Sequence, residues 1–298
     1  MTTLQHKIDF AVIFRVKNAN PNGDPLNGNR PRTDYSNYGE MSDVSIKRKV
    51  RDRLLERWIN DGKNEDDGNM IFVQSDDRKA DNAKSLRDRA EAGLGKELGT
   101  SKTAELACKK WLDVRAFGQL FALKSNKKAG KKKEDGSNDE GDTGVSIGIR
   151  GPVTIQSAFS VEPIDVTSLQ ITKSVSGEGD GSKRGSDTMG MKHRVDHGVY
   201  VFFGSMNPQL SEKTGFSGAD AEAIKAVLPK LFDNDESSAR PAGSMEVLKV
   251  IWWQHNCKAG QYSSAKVHAT LNKNSIKADG NYVLEKLDNL APEEIDGF

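Results

Sequence analysis

The ten residues from Lys7 to Val16, KIDFAVIFRV, decide how the rest of the chain reads. Ile8, Phe10, Val12, Phe14 and Val16 fall on one side of an extended chain, and Asp9, Ala11, Ile13 and Arg15 on the other. That alternation predicts a strand half covered by core. Residues 18–34 then read NANPNGDPLNGNRPRTD, five Asn, three Pro and two Gly in seventeen residues, which neither continues a strand nor opens an ordinary helix. Past this loop Ile46, Val50, Leu54 and Trp58 recur every fourth residue, predicting a helix with Asp43 placed to cap it.

Working outward, residues 60–105 are polar and broken by Gly and Asp, and they read as an insertion with short helices. An apolar pattern returns in WLDVRAFGQLFAL (111–123), followed by a Lys, Gly and Asp tract at 124–144 whose composition predicts a mobile loop. Strand patterns follow at 145–161, on both sides of Gly151-Pro152, and in GVYVFFG (198–204). Between them, KSVSGEGDGSKRGSDTMGMKHRVDHG (173–198) is a second Gly- and Ser-rich basic insertion. Ser217 and Asp220 introduce an amphipathic helix in TGFSGADAEAIKAVLPKLF, and MEVLKVIWWQH (245–255) is a last strand. The predicted fold is α+β, one domain over 1–298 with a sheet carrying helices on one face.

Composition narrows the function. The 298 residues carry 44 Lys and Arg against 43 Asp and Glu, a formal charge of +1, and 35% are hydrophobic. Mean hydropathy is −0.66 and no apolar run approaches the ~20 residues of a membrane span, so no membrane partner and a cytoplasmic location are expected. Cys108 and Cys257 lie far apart outside any CxxC spacing, which argues against a disulfide framework or a thiolate zinc site. Near-neutral charge argues weakly against nucleic acid, but its distribution is uneven. VSIKRKVRDRLLERW (44–58) holds six basic residues against two acidic, whereas the last twenty residues hold six acidic and one basic.

His193 and His197 in HRVDH would share a face of a helix with Asp196 beside them. The segment runs into a strand, however, and extended residues four apart lie about 13 Å from each other, too far to share a metal. No GxSxG elbow, HExxH helix or P-loop is present, and SGEGDGSKRG lacks the GKS ending and following helix of a phosphate cradle. No cofactor is expected. The recurrent theme is basic groups among turn residues: Arg30, Arg32, Lys47, Arg48, Lys49, Arg115, Arg150, Lys183, Arg184, Lys192 and Arg194. Individually these suit a solvated surface; together they favour an RNA-binding groove.

Six strings in order, NPNGDPLNGNRPRTD, SDVSIKRKVR, DVRAFG, IRGPV, TMGMKHRVDHGVY and SEKTGFS, resemble the CRISPR-associated family seven backbone subunit of the type I-C surveillance complex, Cascade, over residues ~8 to ~245. The resemblance implies an RNA-recognition-motif-like (ferredoxin-like) palm with a helical finger insertion at 60–105 and a thumb at 163–197. Copies would polymerise along one crRNA, kinking it so that intervening bases pair with a target DNA strand. Other implied partners are the crRNA-processing endonuclease subunit, large and small subunits, and a recruited helicase-nuclease. By the same resemblance Asn20, Asn22, Arg30 and Arg32 of the Asn-rich loop meet RNA backbone or the adjoining subunit. Lys47, Arg48 and Lys49 at the head of the first helix meet phosphates, as do Arg115 and Arg150. In the thumb, Lys192, His193 and Arg194 approach RNA, with Met189 or Met191 as a wedge at the kink. On a helical wheel Lys47 lies beside the apolar stripe, so it also suits simple snorkelling.

Two rival readings stand beside this non-catalytic scaffold. Related backbone subunits of type III complexes cut RNA with a loop aspartate, a role open to Asp24 or Asp34, although both also suit tight turns. A sequence-specific RNA-recognition module would instead stack bases on Tyr200 and Phe202.

Overall fold

The computed structural model describes residues 2–123, 145–172 and 189–298. Its strands are β1 (Ile8–Ala19), β2 (Gly23–Asp24), β3 (Arg30–Pro31), β4 (Tyr38–Met41), β5 (Gly118–Leu123), β6 (Val145–Arg150), β7 (Val153–Ile155), β8 (Ala158–Pro163), β9 (Val166–Thr172), β10 (Met189–Met206), β11 (Met245–Gln254) and β12 (Glu293–Asp296). Its helices are α1 (Asp43–Asn60), α2 (Leu86–Leu94), α3 (Thr103–Lys110), α4 (Leu112–Phe117), α5 (Pro208–Thr214), α6 (Gly218–Val227) and α7 (Ser264–Ala269). The predicted lysine-rich loop at 124–144 and the glycine run with Lys183 and Arg184 lie outside the described residues.

An eight-stranded antiparallel sheet organises the molecule. Its path runs β12-β11-β1-β10-β8-β4, with β7 and β9 also pairing β10. Central β1 faces β10 from Ile8 opposite Met206 to Ala19 opposite Val195, and β11 on its other side. Paired on both edges, β1 is also covered on both faces. Phe10, Val12, Phe14 and Val16 join the larger core with Tyr200, Phe202, Val250 and Trp252, under α1 and α6. Ala11 and Ile13 join a second core with Val199, Val201, Ile251 and Trp253, beneath Val267 of α7 and Leu271, Ile276 and Leu290. The expectations of a half-covered strand and of helices on one face are therefore corrected: residues beyond 255 fold back over the second face.

A buried polar cluster fastens that return. Asp9, with no exposed surface, accepts from His255 Nε2 at 2.9 Å and pairs with Lys7 at 3.0 Å. His255 Nδ1 in turn accepts from the Gln261 backbone at 2.9 Å. Burial alone would raise the Asp9 pKa, but hydrogen bonds from His255, Ser264 and Lys7 outweigh it and bring the carboxyl to about 2.

On the helical side, α1 buries Ile46, Val50, Leu54 and Trp58, the stripe its period predicts, each contributing roughly 1.5–3 kcal/mol. Its cap is Ser42 rather than Asp43, the Ser42 hydroxyl accepting from the Ser45 backbone. The α6 capping box of Ser217 and Asp220 forms as the sequence suggests. Residues 60–105 are less detached than expected. Met70, Ile71 and Phe72 enter the larger core, and the Asp113 carboxylate accepts from the backbone of Phe72 (2.7 Å) and Val73 (3.0 Å). Among the described residues no helix is long and apolar enough to cross a membrane.

Candidate nucleic-acid interface

The Asn-rich loop owes its composition to its backbone. Asn18 and Asn29 within it, and Asn37 just past it, have positive φ of 54°, 61° and 64°, a left-handed conformation that Asn tolerates better than most side chains. Two further asparagines assigned to RNA are used inside the fold. Asn20 is 3% exposed and donates to the Asn29 carbonyl at 2.7 Å; Asn22 Oδ1 accepts from the Ser42 backbone and hydroxyl at 2.9 and 3.0 Å. The loop is thus a brace that carries Arg30 and fixes the start of α1.

The cations of α1 and α4 meet carboxylates. Lys49, 4% exposed, pairs with Asp235, and its pKa falls to about 8 because burial outweighs that partner. Arg115, 8% exposed, makes a bidentate pair with Asp220 (3.0 and 2.7 Å) and also donates to the carbonyls of Gly68 and Cys108. Both were assigned to RNA phosphates; in the folded chain these charges are enclosed and paired with carboxylates. Lys47 lies 2.9 Å from Asp43 one turn away, and the exposed Arg48 donates to Ser75 at 2.8 Å near Asp77 and Asp52. Arg32 sits 3.5 Å from Asp24. Arg150 is exposed, opposite Gly118 on the separate β5–β6 ribbon.

The remaining candidates converge on the β9–β10 ribbon. Beyond Ala19 opposite Val195, β10 has left β1 behind, and its first six residues pair only with β9, Met189 opposite Thr172 through Arg194 opposite Thr167. Both faces reach solvent. Cross-strand alternation puts Met189, Met191 and His193 on one face with Thr172, Gln170 and Ser168; Gly190, Lys192 and Arg194 share the other with Ile171, Leu169 and Thr167. Met189 and Met191 are 62% and 55% exposed. Arg30 reaches this first face from β3, donating to Ser168 Oγ at 3.0 Å, and the same oxygen lies 2.9 Å from His193 Nδ1. Ser168 therefore ties the brace to the ribbon and holds guanidinium and imidazole side by side. Two polarizable thioethers, two nitrogen donors and a hydroxyl on one open face suit a nucleotide: donors for phosphate, a soft apolar edge for a base. Ser168, Leu169 and Ile171 escaped the sequence reading, although VTSLQIT (166–172) is rich in β-formers.

The residues of the rival readings have structural employment. Asp24 Oδ1 accepts from the Leu26 backbone at 3.2 Å, and Asp34 Oδ1 from those of Ser36 and Tyr38, both at 2.9 Å, as turn caps do. Tyr200 and Phe202 have no exposed surface, which removes them as base-stacking platforms.

The sequence profile of the family described as CRISPR-associated protein Cas7 matches residues 6–291. The chain belongs to the Cas7 family. A CRISPR-associated protein Cas7 of Haloferax volcanii is 25% identical over 257 residues, 84% of this chain and 71% of the relative. Among solved structures, a chain of a CRISPR RNA-guided surveillance complex, pre-nicking, aligns over 83% of this chain and 78% of its own, with 15% identity and a TM-score of 0.44. A chain of another CRISPR RNA-guided surveillance complex aligns over 83% of this chain and 68% of its own, with 18% identity and a TM-score of 0.42.

Proposed function

We propose that this Cas7-family chain is a non-catalytic backbone subunit of a type I-C Cascade that binds crRNA, polymerises along it and presents its bases to a target DNA strand. The observation that carries the reading is the β9–β10 ribbon, which leaves the sheet with Met189, Met191, His193 and Arg30 gathered on one open face. Thioether side chains entering between bases, with cations on the flanking phosphates, would hold RNA kinked without reading its sequence. The type I-C assignment is supported by the six motif strings, and the partners follow from it: neighbouring copies, the crRNA-processing endonuclease subunit, large and small subunits, and the helicase-nuclease.

Strand order supports an RNA-recognition-motif-like palm. Taking β1, α1, β8, β10, α6 and β11 as its βαββαβ core, the strands lie in space as fourth, first, third, second, all antiparallel. The thumb is then an extension of the third strand. The turn-capping geometry of Asp24 and Asp34 favours a scaffold over a ribonuclease.

Purification after co-expression with a CRISPR array tests the reading. RNA of a defined length should accompany the protein in multi-copy particles and stay intact with divalent metal present. Protein free of RNA, or guide-paired RNA cut at regular intervals, would overturn it.

A further inference from the structure

A cleft of about 590 Å³ lies between the last turns of α1 and the chain that follows α6, with Phe298 completing its wall. Its first residue, Arg53, stands about 16 Å along α1 from the Ser42 cap that the Asn-rich brace fixes. Charges in the wall match in number: Arg53, Arg57 and Lys230 against Glu56, Asp61 and Asp233. A polyanion therefore gains little there, and an apolar ligand would leave these groups without hydrogen bonds.

What the wall leaves unused says more than its net charge. Glu56 already accepts from Arg53 Nη1 at 2.6 Å and Asn234 Nδ2 at 2.7 Å, and Asp61 lies 3.6 Å from Arg57. Three groups remain. Arg53 is 4% exposed, yet its Nη2 has no hydrogen-bond partner. Asp233 has no hydrogen bond among the described residues; burial raises its pKa above the ordinary carboxylate value against the pull of Arg53 and Lys230. The Lys230 ammonium stands 4.0 Å from the centre of the Phe298 ring, and Phe298 is still 83% exposed.

Cations that only donate, a carboxylate that only accepts and an open aromatic ring call for a planar ligand with both kinds of edge. We propose that this cleft binds guanine, with O6 and N7 accepting from Arg53 and Lys230, N1–H and the 2-amino group donating to Asp233, and the base stacked on Phe298. The carboxylate decides among the bases, because guanine sets two donors side by side where adenine and cytosine offer a single amino group. A small zwitterion such as glycine would meet the same charges but leave the ring and most of the volume uncovered. The guanine can belong to a free nucleotide or to a single strand of nucleic acid.

The test uses the full chain freed of nucleic acid, with GMP, AMP and xanthosine monophosphate titrated by calorimetry. GMP should bind about tenfold more tightly than AMP, the discrimination one bidentate pair supplies. Asp233→Asn should reverse the order, weakening GMP and strengthening the xanthine nucleotide about tenfold, because an amide donates to the 2-oxo group that a carboxylate repels. A merely structural role for Asp233 would lower thermal stability and leave the base preference where it was. The RNA pentamers UUGUU and UUAUU, compared in the same way, separate the sources: a preference seen with GMP assigns a free nucleotide, and one confined to the pentamers assigns a base within a strand. Absence of a guanine preference in both comparisons would overturn the proposal. So would displacement of GMP by an equal concentration of glycine, or an Asp233→Asn chain that keeps the original order.

Discussion

Helices α1 and α4 and the β9–β10 ribbon are both rich in cations, and they use them in opposite ways. Around α1 and α4, other elements supply carboxylates: Asp113 to Arg51, Asp235 to Lys49, Asp220 to Arg115. On the ribbon, Arg194 has only Asp196 of its own strand at 3.3 Å, and Arg30 and His193 share a neutral hydroxyl. A buried cation whose charge is matched inside the fold holds elements together, whereas one left with a neutral or weak partner at an open face has its electrostatic capacity in reserve for an outside anion. Basic composition therefore reports RNA affinity only after the internal carboxylates have been subtracted.

The sharpest way to break the comparison is Arg115→Met. It leaves Asp220 enclosed and unmatched, so unfolding in urea should show a loss of about 3–5 kcal/mol. RNA retention should fall only as the folded fraction falls; a stable variant with weakened RNA binding would place Arg115 among the phosphate ligands after all.

Asp9 belongs to the same inward-facing class, and pH reads it out. Its folded pKa of about 2 lies below the unfolded 3.8, so its contribution is complete above pH 4 and disappears as pH falls through 2. The difference corresponds to about 2 kcal/mol. Stability measured between pH 5 and 2 should drop by that amount in the native chain, and Asp9→Asn should lower the plateau and flatten the decline. An equal decline in both would assign it to other carboxylates.

On the ribbon side, Arg30→Ala should leave thermal stability nearly unaltered and lower the slope of log affinity for RNA against log salt by about one. An intact slope would make Arg30 a brace alone. The smallest effect on the fold is expected from Met189→Ala with Met191→Ala, within about 0.5 kcal/mol. The same variant should nonetheless erase the regular reactivity pattern of the bound guide in chemical probing; survival of that pattern would move the wedge elsewhere.

Much of the frame was legible because it rests on local periodicity: the β1 alternation, the four-residue recurrence of α1, the Ser217 and Asp220 box. Local periodicity says nothing of what lies across a sheet. The second core needs Val267 and Leu290 to fold back over residues near position 12, and the Asp9 and His255 contact spans 246 positions. The site divides in the same way. Met189, Met191 and His193 could be taken from their string, while the burial of Lys49 and Arg115 depends on Asp235 and Asp220, more than a hundred positions away in each case. Ser168 carried no signal of its own, since its role comes from the pairing register.

Central β1 also has a consequence for synthesis. Ile8 pairs with Met206 on one side and Gln254 on the other, so a ribosome making about 5–20 residues per second delivers its two partner strands roughly 10 to 50 seconds after β1 itself. Through that interval an apolar strand with two open edges waits in a crowded cell. How fast the chain is translated, and what shields those first residues meanwhile, should govern how much of it reaches the folded state.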